Sequence, residues 1–415
     1  MIYQQAAAYL DSGPGSLKNR IFAKNSGPQA KRLFALVYGT LQYKTLLSAV
    51  ITASHILKYE KALTLPVALV MVHDLLLSKG GKLACGKCKE KDAVMRHKTR
   101  LNAEFVKYKV KHGLVQDETD ETPVRWLRCN PVKASPEDLE KAFVAAGMTR
   151  VETFKVHKMA FYKDDFVPGL YGLHPSYPVA KMPLYRSGQL IIQDRASCFP
   201  VTILNPSSDA EYIDACAAPG NKTTQLAGYA KKVTAFERDP KRGAILQKMI
   251  GTAGLSDRIN VNIQDFTQAQ PSDYPDVKGL VVDPSCSGSG IFGRAGLGSE
   301  QETQNSQRLD KLSEFQYIIV SHALKFPAET VVYSTCSIHS IENEQVVRRL
   351  LETPEIAKEW RLRSRESVLP GWPRRGYVQE FEGMENAAEL AESCVRVNPK
   401  EDGGIGFFAA CFERI

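Results

Sequence analysis

The spacing of apolar and polar positions divides the chain into three regions. Residues 1–78 predict helices, because apolar residues recur there three and four positions apart. A further helix is predicted over 97–111, and the acidic stretch 117–123 is predicted to be a linker. The first region is therefore expected to be a helical domain over residues 1–116.

A short mixed region follows the linker. Residues 124–129 predict a strand, and the segment 135–138, Ser-Pro-Glu-Asp, is typical of the start of a helix, here one that ends near Gly147. Proline suits the first helical position, and acidic residues complement the helix dipole there. A strand followed by a helix predicts a small α+β module over residues 122–185.

The remaining residues, 186–415, alternate between strand-like and helix-like segments. This alternation predicts right-handed crossovers and a mostly parallel, Rossmann-like sheet, so the expected fold class is α/β. A late strand over 405–412 is expected to pair antiparallel at an edge, and the glycine-rich segment 293–306 is expected to form a mobile loop. The other predicted strands of this sheet lie at residues 211–214, 232–237, 259–263, 280–283 and 330–335.

Two cysteines follow the last two of these strands. Cys286 comes three residues after Asp283 in Asp-Pro-Ser-Cys-Ser-Gly-Ser-Gly, and Cys336 follows the strand that ends at Thr335. Ligands bind beyond the carboxyl ends of strands in open α/β sheets. One such cysteine is most often a small packing residue, but two in matched positions predict covalent attack on an electrophilic ring. A disulfide is the less favoured alternative, since nine scattered cysteines are typical of a reducing compartment.

The segment after the first strand of the main sheet predicts a nucleoside-binding loop. Its small residues allow a ligand to approach the backbone, and Gly220 permits a conformation that other residues resist. The glycine patterns of dinucleotide sites and of phosphate-binding loops are both absent, which favours a nucleoside ligand without a pyrophosphate. The loop consists of Cys216, Ala217, Ala218, Pro219, Gly220, Asn221 and Lys222.

Acidic residues end the following strands. Glu237 is placed to accept two ribose hydroxyls, and Asp265 is placed to meet an adenine amino group. Each alone is more often a helix N-cap or an exposed carboxylate, but together with Asp283 they favour S-adenosylmethionine as the cofactor. Cys85 and Cys88 have no further ligands at metal spacing, so they are interpreted as surface thiols and no metal is expected.

The residues after Asp283 favour methylation of a ring carbon. Enzymes that methylate an exocyclic amino group place an aromatic residue after the acid to stack the base, and here a thiol follows instead. Cytosine C5 becomes nucleophilic only after a thiolate has added to C6. Asp283 would stabilise that adduct at N3, and a base would remove the C5 proton before the thiolate leaves.

The charge distribution indicates a nucleic-acid partner. The formal net charge is +8, but residues 1–115 contain 19 basic and 6 acidic residues, with most of the excess within 79–111. Such a concentration of positive charge neutralises phosphates, although a solvated basic face or an anionic-membrane contact is an alternative. No secretory signal is evident, and the longest apolar runs are too short to span a bilayer, so no membrane association is expected.

These motifs resemble those of the Sun-domain (Nol/Nop/Sun-type) RNA 5-methylcytosine methyltransferases. The resemblance covers roughly residues 185–350 and includes the segments 183–189 and 193–197. Together with the basic N-terminal region, it is most similar to the family's fifth-member branch, which acts on large-subunit ribosomal RNA. The resemblance implies a methyltransferase domain over 186–415, preceded by an RNA-recognition module, and residence in the nucleus and nucleolus. A monomer is expected.

The resemblance also implies roles for individual residues. Cys336 is expected to be the nucleophile, Cys286 to assist product release and Asp283 to orient the base. Pro-Ser-Cys stands where many members have Ala-Pro-Cys, and Glu237 stands where aspartate is commoner. The first departure is shared with the ribosomal branch, and the second keeps the carboxylate. The cofactor pocket is expected to be lined by Cys216, Ala217, Ala218, Pro219, Gly220, Asn221, Lys222, Glu237, Arg242, Asp265 and Asp283.

Two other functions compete with this interpretation. One is an RNA-binding ribosome-assembly factor that binds S-adenosylmethionine but whose catalysis is dispensable. The intact Cys336, Cys286 and Asp283 argue against it. The other is an enzyme of the same fold that methylates a base amino group or a protein, which the missing aromatic residue after Asp283 argues against.

Overall fold

A computed structural model describes residues 2–11, 17–78, 81–111, 124–291, 302–399 and 401–415. Two compact units are present, one formed by residues 1–119 with 296–303 and the other by residues 120–295 with 304–415. The predicted linker at 117–123 lies outside the described residues. So does most of the glycine-rich segment at 293–306.

The first unit is helical, as predicted. Its core is one cluster of apolar side chains, to which Leu33 and Val37 contribute from one helix and Val70 and Met71 from another. The helices are α1 (Ile2–Ala7), α2 (Leu17–Phe22), α3 (Gly27–Gln42), α4 (Lys44–Ser54), α5 (Ile56–Tyr59), α6 (Leu65–Leu76), α7 (Lys89–Arg96) and α8 (Lys98–Lys111).

Helix α8 carries part of the predicted basic stretch. Leu101 and Phe105 are four residues apart on its buried face, while Arg100 and Lys107 are exposed on the outer face. Within the described residues, no single helix has the length and apolar character needed to cross a membrane. Helices α3 and α4 are together long and apolar enough, but they are bent by 75° at their junction. This match rests on length and composition alone.

The second unit begins with a five-stranded sheet in the order β2-β3-β4-β1-β5. The Ser135 side chain caps its long helix by accepting a hydrogen bond from the backbone N–H of Asp138, as the Ser-Pro-Glu-Asp segment predicted. The last strand pairs antiparallel with the first, so this sheet extends beyond the predicted module end at residue 185. The elements are β1 (Arg125–Cys129), α9 (Pro136–Ala145), β2 (Thr149–Val151), β3 (Ala160–Lys163), β4 (Leu170–Leu173), α10 (Pro183–Arg186) and β5 (Leu190–Ile192).

An eight-stranded sheet forms the rest of this unit. Its path runs β11-β13-β10-β9-β6-β7-β8, with β12 also paired to β13. The strands from β8 to β10 are parallel to one another, which confirms the predicted α/β class. The elements are α11 (Arg195–Leu204), β6 (Glu211–Asp214), α12 (Asn221–Tyr229), β7 (Lys232–Phe236), α13 (Pro240–Ala253), β8 (Ile259–Asn262), β9 (Val277–Val282), α14 (Glu302–Ala323), β10 (Thr330–Thr335), α15 (Glu344–Leu351), α16 (Pro354–Ala357), β11 (Trp360–Leu362), α17 (Ala387–Glu392), β12 (Cys394–Val397) and β13 (Phe407–Arg414).

The predicted edge position of the last strand is wrong. Strand β13 is antiparallel, as expected, but it lies between β10 on one side and both β11 and β12 on the other. Its residues from Phe407 to Phe412 are all buried. A strand that is apolar on both faces gains most from an internal position, where neighbours cover both faces and both edges.

A buried ion pair joins the small module to the main sheet's first helix. Arg195 at the start of α11 contacts Asp164, which follows β3, with 2.6 Å between Nη2 and Oδ2. The guanidinium also lies 5.0 Å from the ring of Trp126 and 5.1 Å from that of Trp372. Trp126 in turn donates a hydrogen bond of 2.6 Å to the carbonyl oxygen of Gly403.

Removing the cation alone should destabilise this junction strongly. We expect Arg195→Met to lower the free energy of unfolding by about 3–5 kcal/mol in urea titrations, because it leaves the Asp164 carboxylate buried and unpaired. Adding Asp164→Asn should recover much of that loss. Arg361→Met, which breaks an exposed pair with Glu413, is the control and should cost less than about 1 kcal/mol. Equal losses from the two arginine variants would contradict the prediction.

Candidate active site

The two predicted cysteines are neighbours at the carboxyl edge of the main sheet. Strands β9 and β10 pair in parallel, with Leu280 opposite Val331, so the turns that follow them are adjacent. The Sγ atoms of Cys286 and Cys336 are 3.0 Å apart. The hydrogen bond with Cys336, followed by burial, raises the pKa of the Cys286 thiol above its ordinary value. Either sulfur can donate the hydrogen bond between them.

An ion pair lies at the same edge of the sheet. Asp283 follows β9 and accepts a hydrogen bond of 2.7 Å from Lys222 Nζ and one of 2.8 Å from Ser334 Oγ. Lys222 also donates to Ser197 Oγ at 3.1 Å. Both carboxylate oxygens of Asp283 are thus held, which fixes the orientation of the group.

Lys222 stays charged in this setting. Burial opposes its cationic form, but the Asp283 carboxylate outweighs burial and the net effect raises the pKa of Lys222. The negative charge of a Cys336 thiolate acts in the same direction. Lys222 is therefore a cation that lies beside Asp283 and Cys336.

A buried carboxylate holds the turn that carries Cys286. Glu342 is fully buried and accepts hydrogen bonds from the backbone N–H of Ser287 at 2.8 Å and from its hydroxyl at 2.6 Å. Gln316 donates to the same carboxylate at 3.0 Å and to the carbonyl oxygen of Ser285 at 3.2 Å. Glu342 lies in the segment after Cys336, so one side chain connects the two cysteine turns.

The Cys336 turn has its own supports. Asn343 donates to the carbonyl oxygen of Ser337 at 3.0 Å and accepts from the Thr335 hydroxyl at 2.5 Å. The carbonyl oxygen of Cys336 accepts from the backbone N–H of Gly290 at 3.0 Å. A Cβ atom on Gly290 would lie 2.0 Å from the carbonyl oxygen of Gly406, so only glycine fits there.

The predicted cofactor loop connects β6 to α12. Asp214 ends the strand and accepts hydrogen bonds from the Thr223 hydroxyl at 2.7 Å and from the backbone N–H of Cys216 at 3.3 Å. Gly220 precedes the helix with a φ of 114°, a conformation that favours glycine. The strand order reverses between β6 and β9, and a ligand site is expected at such a position.

A cleft at this position brings together four of the predicted cofactor residues: Cys216, Glu237, Arg242 and Asp265. Arg242 pairs with Glu237 at 3.3 Å and donates to the carbonyl oxygen of Ala218 at 2.6 Å, which ties the loop to the end of β7. Burial opposes ionisation of Asp265, but hydrogen bonds from Thr267 outweigh it and lower its pKa. The cleft is further lined by Ala215, Phe236, Arg238, Gln264, Phe266, Ser285, Phe315 and Ile319.

The other predicted cofactor residues do not line this cleft. Ala217 and Ala218 are buried residues of the loop, Pro219 is exposed, and Asn221 begins α12. Lys222 forms an ion pair with Asp283 beside the thiols.

Sequence reasoning missed several residues that shape the site. Phe315 and Ile319 line the cleft from α14, a helix rather than a strand end. Glu342 and Asn343 lie in a mostly polar segment soon after Cys336, so nothing in the local sequence distinguishes them from exposed residues. Nothing in its local sequence distinguishes Ser334 from other serines.

The described residues contain no cluster of three or more histidine, cysteine or acidic side chains arranged to hold a metal ion. Cys85 and Cys88 are both partly exposed. Burial, followed by the neighbouring Cys88, raises the pKa of the Cys85 thiol.

Family comparisons agree with this geometry. The family model for 16S rRNA methyltransferase RsmB/F matches residues 201–413, and that for the N-terminal domain of NOL1/NOP2/Sun domain family member 5 matches residues 31–121. The chain belongs to the NOL1/NOP2/Sun methyltransferase family. The resemblance inferred from the sequence motifs is thereby confirmed.

Curated relatives in this family match almost the whole chain. The 25S rRNA (cytosine-C(5))-methyltransferase rcm1 of Schizosaccharomyces pombe is 42% identical, over 97% of this chain and 88% of its own length. A 28S rRNA (cytosine-C(5))-methyltransferase of Mus musculus is 37% identical, over 100% and 91%. The crystal structure of a methyltransferase homologue from Pyrococcus horikoshii has a TM-score of 0.57 at 17% identity, over 88% of this chain and 99% of that one, and it supports the fold alone.

Asp214 should make the stability of this NOL1/NOP2/Sun protein depend on pH. Burial raises the pKa of Asp214 to about 6, above its ordinary value of 3.8, although the Thr223 hydrogen bond opposes the rise. A carboxyl group with a raised pKa in the folded state stabilises the protein at low pH, and this contribution is lost as the pH rises from about 4 to about 6. The free energy of unfolding of Asp214→Asn, measured by urea unfolding, should therefore rise relative to that of wild type by about 3 kcal/mol as the pH is raised from about 4 to about 7.

The control for this experiment is Asp276→Asn, which alters an exposed carboxylate. It should change the free energy of unfolding by less than about 0.5 kcal/mol at every pH. A constant difference between Asp214→Asn and wild type across the pH range would contradict the prediction.

Proposed function

We propose that this protein transfers a methyl group from S-adenosylmethionine to C5 of a cytosine in large-subunit ribosomal RNA. The observation that carries the proposal is the pair of thiols 3.0 Å apart beside the Asp283–Lys222 ion pair. Amino-group methylation has no use for a thiol, whereas attack at cytosine C6 requires one. The relatives at 42% and 37% identity are named for cytosine-C5 methylation of 25S and 28S rRNA, which supports the same substrate here.

The cleft residues suit S-adenosylmethionine. Phe266 and Ile319 supply apolar surface for an adenine ring, and Asp265 supplies an acceptor for its amino group. The backbone N–H of Asp239 and the guanidinium of Arg242 already contact the Glu237 carboxylate at the end of β7. Its oxygens can still accept further hydrogen bonds from ribose hydroxyls. When bound, the cofactor supplies an electrophilic methyl group.

Cys336 acts as the nucleophile in this proposal. Lys222 supports this assignment, because its positive charge interacts with Cys336 and would stabilise the thiolate that attacks. Its thiolate would add to C6, and the electron pair displaced to C5 would bond to the methyl group while the carbon–sulfur bond of the sulfonium breaks and its electron pair stays on the cofactor sulfur. A base then removes the C5 proton, the C5–C6 double bond re-forms, and Cys336 leaves as thiolate while Cys286 assists product release.

Asp283 and Lys222 complement the polar edge of cytosine. A carboxylate accepts from the N4 amino group, and an ammonium donates to N3 or O2. Uracil carries an oxygen at position 4, which the Asp283 carboxylate would repel. The pair therefore favours cytosine as well as orienting it.

The RNA reaches this site as a splayed-out nucleotide, because a stacked and paired cytosine hides C6. The exposed basic residues of α8 contact phosphates and supply affinity rather than sequence recognition. With ribosomal RNA as substrate, the protein acts in the nucleus and nucleolus, and we propose that it does so as a monomer.

Replacing the nucleophile should abolish product. We expect wild-type protein with S-adenosylmethionine to form 5-methylcytidine in unmodified large-subunit ribosomal RNA, and Cys336→Ala to form none, as counted by nucleoside mass spectrometry. Cys88→Ala, which removes a thiol from the helical unit, is the matched control and should retain activity. Absence of 5-methylcytidine with wild type, despite intact cofactor binding, would favour a ribosome-assembly factor instead.

Replacing the second thiol should trap the reaction. We expect Cys286→Ala to accumulate a protein–RNA adduct that survives denaturing electrophoresis, because Cys336 still adds to C6 while release is slowed. The double variant Cys286→Ala/Cys336→Ala should form no adduct. Accumulation with Cys336→Ala alone would reverse the roles assigned to the two cysteines.

A further inference from the structure

An exposed tyrosine lies beside the turn that carries Cys336. Tyr377 is 44% exposed, and so is Ile338, two residues after Cys336, while Val378 is 48% exposed. Exposed apolar side chains that occur singly are ordinary features of a protein surface. Here a chain of hydrogen bonds and a ring contact connect Tyr377 to the Cys336 turn.

Arg396 makes that connection. Its guanidinium carbon lies 3.9 Å from the centre of the Tyr377 ring, and its Nη1 donates to the carbonyl oxygen of Ile338 at 3.0 Å. The ring and the Cys336 turn are therefore held by the same side chain.

The guanidinium itself cannot move freely. Both carboxylate oxygens of the buried Glu344 accept from Arg396, at 2.6 Å from Nε and 2.5 Å from Nη2. Glu344 also accepts from the backbone N–H of Tyr377 at 3.2 Å. Tyr377 is thus anchored through its backbone, and a fixed cation covers one face of its ring.

The reaction creates a need for such a ring. When a cytosine leaves its stack, the neighbouring base loses a stacking partner. Aromatic side chains replace such partners in proteins that bind single-stranded RNA, largely independently of sequence. A ring that is already fixed loses little conformational freedom on binding.

We propose that Tyr377 stacks on the RNA base next to the target cytosine, with Ile338 and Val378 completing an apolar rim around it. This inference rests on the proposed function, because it requires a splayed-out cytosine at Cys336. It adds a second recognition point to the site, one for an unpaired nucleotide of the same RNA.

The test is steady-state methylation of unmodified large-subunit ribosomal RNA by full-length variants. Tyr377→Ala should raise KM for RNA between about 5- and 100-fold, the range expected for the loss of one stacked base. It should change kcat at saturating RNA less than about twofold, because the ring does not touch the reacting atoms. Tyr377→Phe keeps the stacking surface and should behave as wild type, and so should Ile245→Ala, the control for an exposed apolar side chain on α13.

A second measurement separates stacking from a structural role. After the methylated cytosine has been mapped with wild type, an abasic residue replaces the nucleotide on each side of it in turn. One of these substrates should raise KM for wild type but have little further effect on Tyr377→Ala, because ring and base act as one contact. A merely structural role would instead give additive effects and a loss of cofactor affinity.

The outcomes distinguish this inference from the proposed function. Wild-type methylation of RNA with an unchanged KM in Tyr377→Ala would overturn the stacking role alone. Additive effects of the variant and both abasic substrates would overturn it as well. Absence of methylation by wild type would overturn the proposed function and this inference with it.

Discussion

The parallel pairing of β9 with β10 is the constraint on which the active site depends. Each strand ends in a turn with a cysteine, and hydrogen bonding between the strands places the two turns side by side. Fifty residues of sequence separate Cys286 from Cys336, yet their sulfur atoms are 3.0 Å apart. Without that register, the two thiols could not lie in one site.

Buried polar groups then turn this proximity into a defined geometry. Glu342 bridges the two cysteine turns, and Lys222 holds Asp283 from the neighbouring helix. A buried charge is costly unless it is paired or hydrogen-bonded, so each of these contacts restricts its turn to one arrangement. The Glu344–Arg396 pair extends the same principle to the rim of the site, where it positions Tyr377.

Much of the fold was predictable because local pattern and tertiary environment agree. The strands β6, β7, β8 and β10 are apolar runs that end in polar residues, and they were found within one or two residues of their observed bounds. Strand β13 was recognised as antiparallel but was assigned to an edge. Its place depends on which strands pair beside it, and that information is not contained in its own residues.

The site shows the same division. The sequence by itself determined the class of reaction that we propose, because thiols, carboxylates and a glycine-bearing loop at strand ends limit which reactions are possible. Only the tertiary structure decided which groups lie together. Lys222 forms an ion pair with Asp283 and does not line the cleft, whereas Phe315 of α14 does line it. The physical reason is that hydrogen bonds and packing depend on distances between segments, and chain order does not specify those distances.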